Sequence, residues 1–257
     1  MVKINLGCGS QILEGWANVD YSLGATMAKI PFFNRLNRKL GLFSTNWDKR
    51  IILHDLRKPF PWADASADVV YSSHTLEHFT RPDGLTFLKE CFRVLKPGGL
   101  IRIVVPDLAA NVQHYLNGKT RADYFLEGME ILYSTDRTPN PSRLKKLLAP
   151  LLEYPHKCYY DASALIEIMD KIGFDAENMK PFESRLPEIR DIEIEGRTQY
   201  AIMIEGIKIP EARPIGNSFE RELIPLSSMA LPNDAESLPG EAVGEPVENK
   251  ATPVEHT

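Results

Sequence analysis

Cysteine is scarce in this 257-residue chain, and its three copies, Cys8, Cys91 and Cys158, are far apart, odd in number and free of any C-x-x-C spacing. That excludes a disulfide framework or a zinc knuckle as the organising device and fits a reducing cytoplasm. Long apolar runs are missing too. No stretch approaches the roughly 20 residues that span a bilayer, and Met1 to Asn5 runs into a strand without a signal-peptide apolar region. The expectation is a soluble, unexported, cytoplasmic protein. Nor is there an excess of positive charge: Lys and Arg number 30 against 35 Asp and Glu, a net charge of -5, so nothing pulls the whole chain toward nucleic acid. There is no internal repeat. Aromatic residues almost vanish after Pro210, where Pro, Glu, Ala, Ser and Gly dominate and Phe219 is the exception. Residues 211–257 therefore read as a disordered acidic tail.

What remains is 43% hydrophobic and long enough to bury one substantial core. Short, mostly unalternated apolar segments read as strands: Val2 to Leu6, Trp16 to Val19, Ile51 to His54, Val69 to Ser72 and Leu100 to Val105. Such strands suit a parallel sheet covered on both faces. Leu85, Leu88, Phe92 and Leu95 share one face of a helix from about Asp83, which can cap it, to Leu95, where Lys96-Pro97-Gly98-Gly99 ends it. A second apolar-faced helix, Ala162 to Ile172, stops at Gly173, and Gln199 to Ile209 reads as a late strand. The fold class is α/β.

In such sheets ligands bind where strands end, at the switch in strand order. The turn Asn5-Leu6-Gly7-Cys8-Gly9-Ser10 follows the first strand, and two residues without Cβ atoms let the backbone bend tightly and approach a ligand. A lone G-x-G is weak by itself, since ordinary turns share it. Asp20 ends the second strand, where a carboxylate can accept both hydrogen bonds of a ribose diol. Asp55 ends the third, beside Leu56, which could cover an adenine.

Taken together, Asn5-Leu6-Gly7-Cys8-Gly9, Asp20, Asp55-Leu56, the run Ala67 to His78 and Val94-Leu95-Lys96-Pro97-Gly98-Gly99-Leu100 resemble the successive motifs of class I S-adenosylmethionine-dependent methyltransferases, within them the type 11 methyltransferase-domain group. The resemblance covers residues 2 to 107 strongly and the rest loosely. It implies a Rossmann-like seven-stranded sheet with an antiparallel last strand and helices on both faces, built from residues 1–210, with 21–50 as a lid or insertion and 108–158 as a substrate-side insertion. It implies S-adenosyl-L-methionine as cofactor: Gly7, Cys8 and Gly9 at its methionine end, Asp20 at the ribose, Asp55 and Leu56 at the adenine, Ser72 and Ser73 near the methyl group with His74 in the pocket facing the substrate, and Leu6 and Tyr21 among the other cofactor-binding residues. Because some members accompany polysaccharide and cell-envelope biosynthesis, it also implies O-methylation of a small-molecule or saccharide acceptor.

Two departures stand out. Gly9 and Asp20 are too close for the usual intervening helix, so a short turn around Gln11 to Gly15 must replace it, and Tyr21 to Arg50 is unusually long. His74 is the candidate catalytic residue, a general base that titrates near neutrality; the alternative is a pocket residue bonded to backbone. No metal is expected. His74-Thr75-Leu76-Glu77-His78 does match the H-x-x-E-H pattern of a zinc peptidase group, but the first histidine directly follows a strand and no third ligand stands out. A nicotinamide-binding site fails because Ile12 stands where a third glycine belongs. A noncatalytic cofactor-binding module stays open. The segments Tyr21 to Arg50 and Arg143 to Leu152 are amphipathic and basic, as an ordinary lid or a peripheral membrane contact would be. Oligomeric state is not legible.

Overall fold

The computed structural model describes residues 1–33, 35, 47–131, 140 and 143–210. The chain divides into two units, Met1–Ile215 and Gly216–Thr257, and all described residues belong to the first. The expected acidic tail, 211–257, thus lies outside the described residues, as do residues 34 and 36–46 of the lid, among them Leu36, Arg38, Lys39, Leu40, Leu42 and Phe43.

Among the described residues seven strands form one sheet: β1 (Lys3–Leu6), β2 (Ala17–Asp20), β3 (Ile52–Leu53), β4 (Ala67–Ser73), β5 (Leu95–Pro106), β6 (Phe174–Met179) and β7 (Ala201–Lys208), in the order β3-β2-β1-β4-β5-β7-β6. The pairings of β1 through β5 are parallel, whereas β7 runs antiparallel to both β5 and β6. This is the seven-stranded sheet with a reversed last strand that the sequence resemblance implies. The central strands are apolar on both sides because both sides are covered. On one face Ile101 and Gly206 meet Met169 and Phe174, and a methyl group on Gly206 would come within 3.0 Å of Met169 Cε. On the other, Tyr71, Leu100, Val104 and Met203 pack with Leu13, Leu186, Ile189 and Ile192. Each such fully buried aliphatic side chain is worth about 1.5–3 kcal/mol.

The helices are α1 (Leu23–Met27), α2 (Arg81–Val94), α3 (Leu108–Leu116), α4 (Ala122–Gly128), α5 (Arg143–Leu152), α6 (Ala162–Ile172), α7 (Ile189–Ile192) and α8 (Glu195–Thr198). The expected start of α2 needs correction. Its N-cap is Thr80, whose Oγ1 accepts from Asp83 N, while Asp83 sits in the first turn, a favourable place for an acid beside the helix dipole. Nor does Lys96-Pro97-Gly98-Gly99 simply separate helix from strand. Leu95 already pairs with Ala67, and the next pair is Val69 with Leu100, so these residues bulge out of a strand that has begun, with Gly98 at φ 76°. At the end of α6, Gly173 takes the left-handed conformation at φ 118°, as expected, and the chain returns as β6, which the sequence reading missed. The expected Gln199 to Ile209 strand is Ala201–Lys208. No described helix is long and apolar enough to cross a membrane.

Candidate functional site

The strand order reverses between β1 and β4, and a cleft of about 390 Å³ opens there, lined by the residues that follow β1, β2, β3 and β4 together with Tyr154, Lys157 and Arg197 from later in the chain. Its volume lies in the range of small-molecule sites.

The glycine turn forms the first wall. Gly7 N and Cys8 N both donate to Val19 O at 2.9 Å, bending the chain back against β2. Gly7 sits at φ 70°, and a Cβ there would lie 1.9 Å from Thr75 Oγ1, so only glycine fits. Gly9, at φ 56°, is different: the nearest atom to a Cβ is Arg197 Nη2 at 3.9 Å, which leaves this backbone facing the cleft. The expected short turn replaces a first helix. Asn18 makes it possible, accepting from Leu13 N and Asn5 Nδ2 and donating to Leu13 O and Trp16 O, and thereby satisfying buried backbone groups that a helix would have paired.

Asp20 closes the turn. Its Oδ2 accepts from Gly9 N at 2.9 Å and its Oδ1 from Ser22 N at 2.7 Å, so the carboxylate shapes the loop while each oxygen keeps a lone pair for a ligand. Asp55 is held bidentately by Arg57 at 2.8 and 2.9 Å, and this hydrogen-bonded guanidinium keeps the Asp55 carboxyl below its ordinary range. Arg57 lines the cleft with it.

His74 lies just past β4 in the left-handed region at φ 52°, an unusual backbone for a residue with a side chain. Both ring nitrogens have neighbours: Nδ1 is 3.1 Å from Glu77 Oε1 and Nε2 is 2.8 Å from the carbonyl of Arg197. Because a carbonyl only accepts, Nε2 carries a proton. Burial disfavours charge on the ring, but Glu77 and the Arg197 carbonyl outweigh it and hold the His74 pKa above the ordinary histidine value.

Of the residues named from sequence, Gly7, Gly9, Asp20, Tyr21, Asp55, Leu56, Ser73 and His74 line one cleft. Leu6, Cys8 and Ser72 do not. Leu6 is wholly buried, Ser72 Oγ donates back to Leu6 O, and Cys8 packs with Ala25 and Ile51, where burial pushes its thiol up to about 12. The lining also includes Ser22, Trp47, Arg57, Thr75, His78 and Phe79, all close in sequence to named residues and therefore within reach of a sequence argument. Tyr154, Lys157 and Arg197 carried no such local signal. The H-x-x-E-H reading loses its geometry: Leu76–His78 is a single 3-10 turn, so His74 and His78 do not share a face of an α-helix.

A family described as a methyltransferase domain matches residues 4–103. A protein of Mycolicibacterium smegmatis named as a probable S-adenosylmethionine-dependent methyltransferase is 41% identical over 56 residues, which cover 22% of this chain; the chain spans about a fifth, 21%, of that relative's length. Among solved structures, the PH0226 protein of Pyrococcus horikoshii is 16% identical over 80% of this chain and 81% of its own, with a TM-score of 0.44. A SAM-dependent methyltransferase of Methanosarcina mazei is 17% identical over 81% of this chain and 92% of its own, with a TM-score of 0.42.

Proposed function

We propose that this chain, whose residues 4–103 match a methyltransferase-domain family, transfers a methyl group from S-adenosyl-L-methionine to an oxygen of a small-molecule or saccharide acceptor. One observation carries the reading: Gly9, Asp20, Asp55, Ser73 and Arg197, from five separate parts of the chain, line one cleft at the switch in strand order.

These residues fit the cofactor chemically. Asp20 has lone pairs left for a ribose diol, Leu56 offers an apolar surface for adenine, and the Arg197 guanidinium beside the uncrowded Gly9 suits an amino-acid carboxylate. Ser73 Oγ is buried without a hydrogen-bond partner, as a group awaiting a ligand would be. When bound, S-adenosylmethionine supplies a methyl group on a sulfonium, whose leaving group is neutral. The protein's share is alignment, an effect worth about 7–11 kcal/mol in well-oriented reactions.

His74 is open to two roles. As general base it would first have to release Nε2 from the Arg197 carbonyl. With Nε2 bonded to the Arg197 carbonyl and Nδ1 beside the Glu77 carboxylate it acts instead as a positioning residue that fixes Arg197 at the cleft, and these contacts favour this second role. Residues 108–158 supply the acceptor side through Tyr154 and Lys157, and 21–50 the rim through Tyr21, Ser22 and Trp47. The acceptor chemistry and the setting, cytoplasmic enzymology of cell-envelope or polysaccharide building blocks, follow the family resemblance.

The test has two parts. Adenosylhomocysteine should bind the full chain at one equivalent by calorimetry, and Asp20→Ala should weaken it at least tenfold; unchanged affinity in the variant would remove Asp20 from the ribose role. Methyl-labelled cofactor should then label a saccharide fraction through a base-stable ether, and cofactor binding without transfer to any acceptor would make the chain a noncatalytic module. In pH–rate profiles, loss of the rising limb of kcat in His74→Gln would identify a base, whereas a raised cofactor Kd with the profile unchanged would identify a positioning residue.

A further inference from the structure

Beside the cleft, on the side of His74 and Lys157, three side chains that the proposed methyl transfer leaves without a task converge. Glu77 and His78 come from the turn after β4, and His156 comes from the segment after α5. One donor atom from each lies within 4.8 Å of the other two. Glu77 is 1% exposed and the His156 side chain 6%, whereas His78 is half-buried and lines the cleft. Their arrangement is fixed by backbone: Lys157 N and Cys158 N donate to Glu77 O at 2.8 and 3.1 Å, tying the two segments together.

The polar atoms in this cluster are poorly satisfied. Neither carboxylate oxygen of Glu77 meets a donor in hydrogen-bonding geometry, although His74 Nδ1 lies 3.1 Å from Oε1, and Nδ1 of both His78 and His156 is buried without a partner. Leaving such a group unpaired in the interior is destabilising, and more so when it is charged. Four of them at one place call for a ligand that accepts electron pairs from both imidazoles and the carboxylate at once. A proton serves one pair of atoms; a divalent cation serves all three residues.

We propose that Glu77, His78 and His156 bind a divalent transition-metal cation of the zinc type, with the remaining coordination position directed to the cleft. Two imidazoles and one carboxylate are a known donor set for zinc and its first-row neighbours, and three protein ligands leave a position for a water or an acceptor oxygen. Bonds of about 2.0–2.2 Å place ligand atoms roughly 3.3–3.6 Å apart in a tetrahedron, so modest ring rotations close the present spacing. His74 at Glu77 then supports a ligating carboxylate from behind, and Glu130, whose Oε2 is 3.6 Å from His156 Nε2, flanks the site. The set differs from the H-x-x-E-H arrangement, because His156 replaces His74 and Glu77 binds rather than activating water. It also departs from the expectation of no metal. The site stands on these side chains alone; its service to an acceptor hydroxyl rests on the methyl-transfer reading.

Full-length protein stripped with EDTA and titrated with zinc chloride by calorimetry should take up one equivalent, and cobalt chloride should give the visible absorption of a low-coordinate site. His156→Ala and His78→Asn should each weaken zinc more than the roughly 10- to 100-fold that loss of an outer supporting partner costs, whereas His114→Ala should bind as the wild type does. Adenosylhomocysteine binding on the same samples separates the claims, since it reports the cofactor site and the integrity of each variant. No saturable zinc uptake by wild type would overturn the proposal, as would equal affinity in His78→Asn. Should His156→Ala also lose adenosylhomocysteine, the half-buried His78 variant decides.

Discussion

Arg102 and Glu193 form an ion pair in which both side chains are wholly buried, Nη2 to Oε1 at 2.7 Å. Arg102 stands on β5 at the centre of the sheet, and Glu193 begins the link between α7 and α8, four residues before Arg197. Glu205, the cross-strand partner of Arg102 on β7, completes the group at 3.2 Å. The pair therefore holds the wall that carries Arg197 against the sheet. Arg102→Met should cost about 3–5 kcal/mol in urea unfolding, because two acids lose their cation in the interior. An unfolding midpoint unchanged from wild type would contradict this account.

At the glycine turn, Gly7→Ala faces two separate obstacles. The left-handed backbone at φ 70° costs roughly 1–2 kcal/mol with a side chain, and Thr75 occupies the space of the new methyl group. Gly7→Ala/Thr75→Ala should recover only the second part. Complete recovery of thermal stability in the double variant would show that the backbone at position 7 is free to change.

Asp161 caps α6, its Oδ1 accepting from Ala164 N at 2.8 Å. Asp161→Ala should cost about 1 kcal/mol. The hydroxyl of Ser163, first, and the Ala164 amide hold the Asp161 carboxyl below its ordinary value. A depressed pKa contributes stability that is present above the unfolded value and is lost as pH falls through the folded one. The wild-type advantage should therefore be full at pH 6 and vanish in acid below pH about 3.8, read by chemical unfolding at each pH.

The cysteines should separate by alkylation. Cys8 and Cys91 are buried, with thiols pushed upward by burial, to about 12 for Cys8, whereas Cys158 is part-exposed. Iodoacetamide on the folded protein at pH 8 should label Cys158 first, as mass spectrometry would show, and prompt labelling of Cys8 would mean that the glycine turn opens.

Much of this was legible in the sequence where the signal is local. The glycine turn, the acids ending β2 and β3, the α2 face and the Gly173 stop depend on a few neighbouring residues, and the structure brings Gly9, Asp20 and Asp55 into one cleft. β6 was not legible because Phe174-Asp175-Ala176-Glu177-Asn178-Met179 has too few apolar residues to show a period; it is held by backbone pairing to β7. Arg102 hides in an apolar run whose balancing acids lie 91 and 103 positions away. His156 and Arg197 likewise acquire meaning only through topology, since no spacing rule links position 77 to 156 or 74 to 197.

The loop that replaces the first helix has a consequence for how the protein is made. Leu13, within that loop, is covered by Leu186, Ile189 and Ile192, and Gln11 Nε2 donates to Ile192 O at 2.6 Å. In a chain emerging from the ribosome the glycine turn is thus delivered about 180 positions before its cover. Local folding cannot finish the cleft early, because loop closure over about 180 positions must come first. Competence to bind should arrive abruptly, once the segment carrying Arg197 has emerged and docked.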